Sequence, residues 1–196
     1  MLKRIALMTL AGIFLTTLAF ATPTEDVKKT VDEVVRIVSD KDLKKNIPKR
    51  RLALKKTISI IFDYGEMAKR SLGKHWNPRT PDEKIQFTEL FATLLENSYA
   101  DKIESYNNEK IVYIKDSLDG DYSEVKSKVV TAKRDEFTLD YRLIKKNGKW
   151  MVYDVVIEGV SLVSNYRSQF NRIITANGYP ALVNKLQNKS NELKAP

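Results

Sequence analysis

Residues 150–170 read WMVYDVVIEGVSLVSNYRSQF. From Trp150 to Ile157 every residue except Asp154 is apolar or aromatic, on both alternating faces. That pattern belongs to a strand covered on two sides, in a central or doubly covered position of its sheet. After Gly159 the apolar positions spread out as on an amphipathic helix, which the spacing places from about Val160 to Ile174. The stretch holds no histidine, no cysteine and no evident catalytic pair.

Reading backwards, three more segments look like strands: Lys110–Lys115, Tyr122–Thr131 and Glu136–Ile144, with Lys149–Ile157 as the fourth. Phe137, Leu139, Tyr141 and Leu143 alternate with Thr138, Asp140 and Arg142, which gives the third strand one apolar face. Asp119-Gly120 and Asn147-Gly148 tolerate positive φ and supply hairpin turns. Four consecutive strands suit an antiparallel meander. Lys145, Lys146 and Lys149 around the second turn fit a solvated hairpin tip.

Helices flank the strands. The first is expected near Thr24, with Glu25 and Asp26 in its positive first turn and Val27, Val31, Val34, Val35 and Val38 on one face. A second starts near Pro48; Leu54, Ile58, Ile61 and Phe62 form its apolar side, and Lys49, Arg50, Arg51, Lys55 and Lys56 make the other side strongly basic. Asp63 can cap a short helix that Gly73 ends. Thr80-Pro81-Asp82-Glu83 combines an N-cap threonine, a proline at the first helical position and a glutamate three residues after the cap. Phe87, Leu90, Phe91, Leu94 and Leu95 then line a wide apolar stripe. A last helix starts near Pro180 and carries Leu182, Val183 and Leu186. The expected fold is α+β: a curled four-stranded antiparallel sheet packed against N- and C-terminal helices.

The first residues have another character. Lys3 and Arg4 precede an uncharged apolar run from Ile5, and Ala19-Phe20-Ala21 is a small-x-small cleavage signal, so residues 1–21 read as a secretory signal peptide. The alternative, a membrane anchor, is weakened by the Thr and Pro residues and by the length of the run. The mature chain, residues 22–196, reads as a single domain with enough length for a substantial core. Taking Lys3 and Arg4 from the 34 basic residues leaves 32 against 25 acidic ones, a formal charge of +7. Anionic lipid headgroups or an acidic protein face suit an exported basic chain better than nucleic acid. With no cysteine there is no disulfide framework, no thiolate zinc site and no lipid-modified cysteine at the cleavage point.

Little in the chain suggests catalysis. His75 is the single histidine, so the usual zinc sets cannot form, and there is no G-x-S-x-G elbow and no phosphate-binding glycine loop. Asp154 and Glu158 could be a hydrolase-like carboxylate pair; the plainer reading is a structural bond for Asp154 and a helix-start position for Glu158. Three classes therefore stand: a carrier of an apolar ligand, a non-catalytic interaction subunit with a solid core, and a carboxylate-pair hydrolase.

Two stretches carry a family resemblance. FDYGEMAKRSLGKHW, Phe62 to Trp76, is similar to a Phe-Asp…Met-Ala…Leu-Gly…Trp pattern. Residues 150–170 look like a Trp-x-Val-Tyr-Asp-Val-x-Ile-Glu-Gly-Val-Ser-Leu core followed by Asn165-Tyr166-Arg167 and Gln169-Phe170. Both patterns are those of the periplasmic phospholipid-binding MlaC proteins, also called the toluene-tolerance family, and the order of elements resembles that family from Val27 to Leu186. The resemblance implies a non-enzymatic phospholipid carrier without a cofactor, its sheet and helices enclosing an apolar lipid cavity. It implies exchange between an outer-membrane lipoprotein–porin complex and an inner-membrane ABC transporter with its lipid-binding subunit, which maintains outer-membrane lipid asymmetry.

On that reading the cavity candidates are Phe87, Phe91, Leu94, Leu139, Tyr141, Val152, Val156, Val160, Val163 and Tyr166, each with ordinary core packing as its alternative. Arg167 is the headgroup candidate; its alternative is an ion pair with Asp154 or Glu158. Lys49, Arg50, Arg51, Lys55 and Lys56 are the docking candidates, with a solvated face as the alternative.

Overall fold

The computed structural model describes residues 21–192; all of the expected signal peptide except Ala21 lies outside the described residues. Helices α1 (Pro23–Ser39), α2 (Lys41–Lys44), α3 (Ile47–Ile58), α4 (Tyr64–Leu72) and α5 (Pro81–Glu104) come first. Strands β1 (Lys110–Asp119), β2 (Tyr122–Val130), β3 (Glu136–Lys146), β4 (Lys149–Ile157) and β5 (Val160–Ser161) follow, and α6 (Leu162–Asn177) and α7 (Tyr179–Glu192) close the order.

Local chemistry explains the helix starts. Thr22, not Thr24, caps α1: its hydroxyl accepts from the Glu25 amide, the Glu25 carboxylate reaches back to the Thr22 amide at 2.8 Å, and Pro23 takes the first turn. Thr24 instead donates its hydroxyl to Asp116 on β1 at 3.0 Å. Asp63 caps α4 by accepting from the Glu66 amide at 2.8 Å. Thr80 and Glu83 form the expected reciprocal box on α5. Thr80→Ala removes one of those bonds and should lower stability by about 1 kcal/mol. Urea denaturation checks this, and an unchanged midpoint would mean that packing alone holds the start of α5.

The sheet is an open antiparallel meander in the order β1-β2-β3-β4-β5. It has one strand more than expected. Glu158 (φ 49°) and Gly159 (φ 76°) form a two-residue turn of left-handed backbone, and Val160–Ser161 folds back onto the end of β4. Val160 is therefore in a strand, and α6 begins only at Leu162, with the Ser161 hydroxyl accepting from the Ser164 amide. The first half of the same β4 edge is covered by residues 61–63. The Val152 amide donates to the Ile61 carbonyl at 2.7 Å, and the Asp63 amide donates to the Val152 carbonyl at 2.8 Å. Ile61 and Phe62 thus leave the helix in which they were expected and extend the sheet.

A bulge in β4 decides which residues face inward. Leu143 opposes Val152 and Arg142 opposes Asp154, so Tyr153 is an extra residue and the alternation shifts by one. Residues directly opposite one another share a face. Leu143/Val152, Tyr141/Val155 and Leu139/Ile157 therefore form the inner row, while Val156 opposes Asp140 on the other face. This corrects the expectation that Val156 lines the interior: Val155 and Ile157 do so.

The sheet packs against α1, α4 and α6, and α5 and α7 add residues to the same core cluster. Phe87 and Phe91 are fully buried, and Phe170 stands edge-on to both at 5.7 and 5.6 Å. A smaller cluster of Ile37, Val38 and Leu54 joins α1 to α3.

Candidate functional site

The inner face of the sheet grades from sealed to open. Along β3, Leu143 is 0% exposed, Tyr141 is buried, Leu139 is half-buried and Phe137 is 36% exposed. Across the strands, Leu139 pairs with Ile157, and Ile157 pairs with Val160, which is 59% exposed. One apolar row therefore runs from the core out to solvent.

Half-buried Leu90, Leu94 and Tyr99 on α5 and Tyr166 on α6 pack against the same core, as does Tyr113 on β1. The Tyr166 ring meets Phe91 edge-on at 5.3 Å. Of the expected wall residues, the structure places Phe87, Phe91, Leu94, Leu139, Tyr141, Val152, Val163 and Tyr166 in or against one cluster. Val160 sits at its rim and Val156 lies on the opposite sheet face. Val155, Ile157, Tyr99 and Tyr113 belong to the same surround and were not anticipated.

The polar groups here are phenols held neutral. Burial, and then the nearby Asp32 carboxylate, push the Tyr113 hydroxyl up to about 12. Burial followed by Tyr113 and Asp140 raises Tyr141, and burial followed by Tyr166 raises Tyr99. The Tyr113 hydroxyl is buried without a hydrogen-bond partner among the described residues. Such groups can donate a hydrogen bond inside an apolar space but are poor bases or nucleophiles near neutral pH.

The two suspected catalytic carboxylates are committed elsewhere. Asp154, 3% exposed, accepts from the Ser161 hydroxyl at 2.6 Å and the Val163 amide at 3.0 Å, and it pairs with Arg142 at 3.2 Å. It thereby ties β4 to the start of α6. The Glu158 carboxylate accepts from the Thr138 amide. His75 shares a 2.9 Å hydrogen bond with Asn171. Among the described residues no group of His, Asp and Glu could hold a metal ion. Arg167 pairs with neither Asp154 nor Glu158; its Nε donates to the Arg70 carbonyl at 2.9 Å.

The basic helix divides into two sides. Arg50 is buried and pairs with Glu104 at 2.9 Å, which removes it from the solvent-facing set. Arg51 pairs with Glu104 and Asp101, and Lys55 pairs with Glu96, all on α5. Burial alone would raise the Glu104 carboxyl, but Arg51 and Arg50 hold it below the usual range. Lys49 and Lys56 are exposed and form no salt bridge among the described residues; Leu52, 67% exposed, lies between them on the same side.

The family described as MlaC protein matches residues 28–188, nearly the whole described chain. The chain belongs to the MlaC family. Among its relatives is the intermembrane phospholipid transport system binding protein MlaC of Haemophilus influenzae, 26% identical over 62% of this chain and 59% of that protein. The chain thus spans less than two thirds of the Haemophilus protein's length. The toluene tolerance protein ttg2D of Pseudomonas putida is 28% identical over 90% of this chain and 84% of the other. A phospholipid-binding protein from Ralstonia solanacearum, solved in complex with a phospholipid, superposes with a TM-score of 0.80 at 28% identity. That match covers 89% of this chain and all of the Ralstonia one. The MlaC fold of this chain therefore has a solved counterpart over nearly its full described length.

Proposed function

We propose that this chain is a periplasmic phospholipid carrier, and that acyl chains enter between the inner sheet face and helices α5 and α6. The observation that carries this is the continuous row Leu143, Tyr141, Leu139, Ile157 and Val160, which leads from the sealed core to an exposed apolar rim. The phospholipid in the Ralstonia relative supports the same cargo. Half-buried Leu94, Leu139, Ile157 and Tyr166 are the movable part of the wall, and Phe87, Phe91 and Phe170 are its floor. Carriage needs no catalytic step, since the lipid is handed on unchanged.

Two chains of about 15 carbons lose roughly 24 kcal/mol of transfer free energy on leaving apolar surroundings for water. A carrier must match the bilayer and hand its lipid over while docked. The two docking partners in this reading are an outer-membrane lipoprotein–porin complex and an inner-membrane ABC transporter, and exchange between them maintains outer-membrane asymmetry. Cleavage after Ala21 fits the fold, because a chain starting at Thr22 keeps the threonine that caps α1.

Incubation with phospholipid vesicles, followed by flotation, tests the carrier reading. The soluble protein should retain phospholipid, and Leu94→Arg should lose most of it while staying folded, because the half-buried position lets the long side chain reach water. A wild-type protein that retains none would leave the solid-core interaction subunit as the better account.

Docking is assigned to Lys49, Leu52 and Lys56. Lys49→Glu with Lys56→Glu should slow lipid transfer to the reconstituted transporter and weaken its salt dependence without changing lipid binding. Equal rates at low and moderate salt, in variant and wild type, would move docking to another face. Reversing Arg50 should instead destabilise the protein, since it would leave Glu104 facing a like charge in a buried position.

A further inference from the structure

Where α4 ends against α6, a cleft of about 390 Å³ is lined by Leu72, Gly73, Lys74, Arg167, Ser168 and Asn171. Buried Leu72 contributes an apolar surface. Gly73 has φ 53°, and a Cβ there would stand 3.4 Å from Arg167 Cδ, so glycine allows the arginine stem to lie across the turn. The Arg167 Nε bond to the Arg70 carbonyl then fixes the plane of the guanidinium. Its terminal nitrogens meet no carboxylate among the described residues, and neither does Lys74. Asn171 directs its side-chain oxygen to His75, which leaves its amide nitrogen as a donor. Ser168 donates its own proton to the Ser164 carbonyl. No acidic side chain lines the cleft.

We propose that this cleft binds a phosphate group. Two cations and a free amide donor around one opening suit a tetrahedral anion: a phosphate, singly charged as a diester and more highly charged as the free ion, offers several acceptor oxygens to a fixed guanidinium fork. The site goes beyond the acyl-chain reading and does not depend on it. Its phosphate comes either from a phospholipid headgroup or from free phosphate in solution. The competing account is the ordinary one: cations near a helix C-terminus complement its dipole and bind nothing.

The test is titration of the protein with inorganic phosphate at constant ionic strength, followed by NMR. Saturable shifts are expected at Gly73, Lys74, Arg167 and Asn171. Lys74→Ala, on an exposed side chain, should weaken binding roughly tenfold. Lys29→Ala removes the same charge from the exposed face of α1 and should leave affinity unchanged. Arg167→Lys keeps the charge but loses the fork, and should also weaken binding. A second titration with glycerophosphoglycerol, a phosphodiester headgroup without tails, assigns the source: tighter diester binding points to a lipid headgroup, tighter inorganic phosphate to the free anion. The proposal is overturned by an absence of saturable shifts for both probes, or by equal weakening in the Lys74 and Lys29 variants, which would mean that net charge alone attracts the anion. Either result leaves the vesicle-retention test of lipid carriage untouched.

Discussion

Asp154→Ala should cost about 3 kcal/mol of folding stability, because it leaves several polar groups unpartnered at a buried junction. The carboxylate accepts from the Ser161 hydroxyl and the Val163 amide and faces Arg142. Val163 is almost fully buried, so its amide has little access to water once the carboxylate is gone. Arg142 is 39% exposed and can turn to solvent, so its share of the loss is small. Asp154→Asn keeps an acceptor for the Val163 amide and should lose less. Equilibrium urea unfolding distinguishes the two. A loss below about 1 kcal/mol for Asp154→Ala would mean that the join between β4 and α6 is held by packing. Asp154 is thus the polar anchor of a strand otherwise made of apolar residues, which accounts for a charged residue inside the stretch from Trp150 to Ile157.

Phe91→Ala should cost about 3–5 kcal/mol in the lipid-free protein, the range for truncating a sealed aromatic side chain. Its ring lies 5.9 Å from Phe87, 5.6 Å from Phe170 and 5.3 Å from Tyr166. Truncation leaves a void on the floor below the half-buried wall. If acyl chains enter along Leu139 and Ile157, they can extend into that void, and binding to the folded state then offsets part of the loss. The deficit relative to wild type should therefore narrow when melting is repeated with phospholipid. A deficit of the same size with and without lipid would mean that the void is closed to the cargo, and the floor would belong to a solid core.

Much of this arrangement was legible in the residues. Asp63 and Thr80 cap helices where their neighbours said they would; β4 matches its expected bounds residue for residue, β2 and β3 end within two residues of theirs, and β1 runs on past its expected end at Lys115 to Asp119. Turn chemistry was equally readable at Asn147-Gly148, where both residues take positive φ. The misreadings have physical causes. The bulge at Tyr153 leaves no mark in a strand that is apolar on both faces apart from Asp154, and one extra residue was enough to exchange Val156 for Val155 on the inner face. Arg50 looked like part of a free basic surface because Glu104 lies 54 residues further along the chain, and only the packing of α3 on α5 brings them together. The brief strand at Val160–Ser161 hid in a helix-like pattern because two residues are too few to show an alternation. Tyr99 and Tyr113 escaped notice because aromatic residues on a helix and an edge strand carry no local sign of the core against which both pack.

The central claim is that the inner sheet face and helices α5 and α6 hold a phospholipid. Native mass spectrometry of the protein isolated from periplasm without detergent tests it most directly. The account predicts a species heavier than the chain from Thr22 onward by a bound phospholipid, which leaves on collisional activation and is identified by its fragments. Isolation of the bare polypeptide alone, still bare after equilibration with phospholipid vesicles, would contradict it.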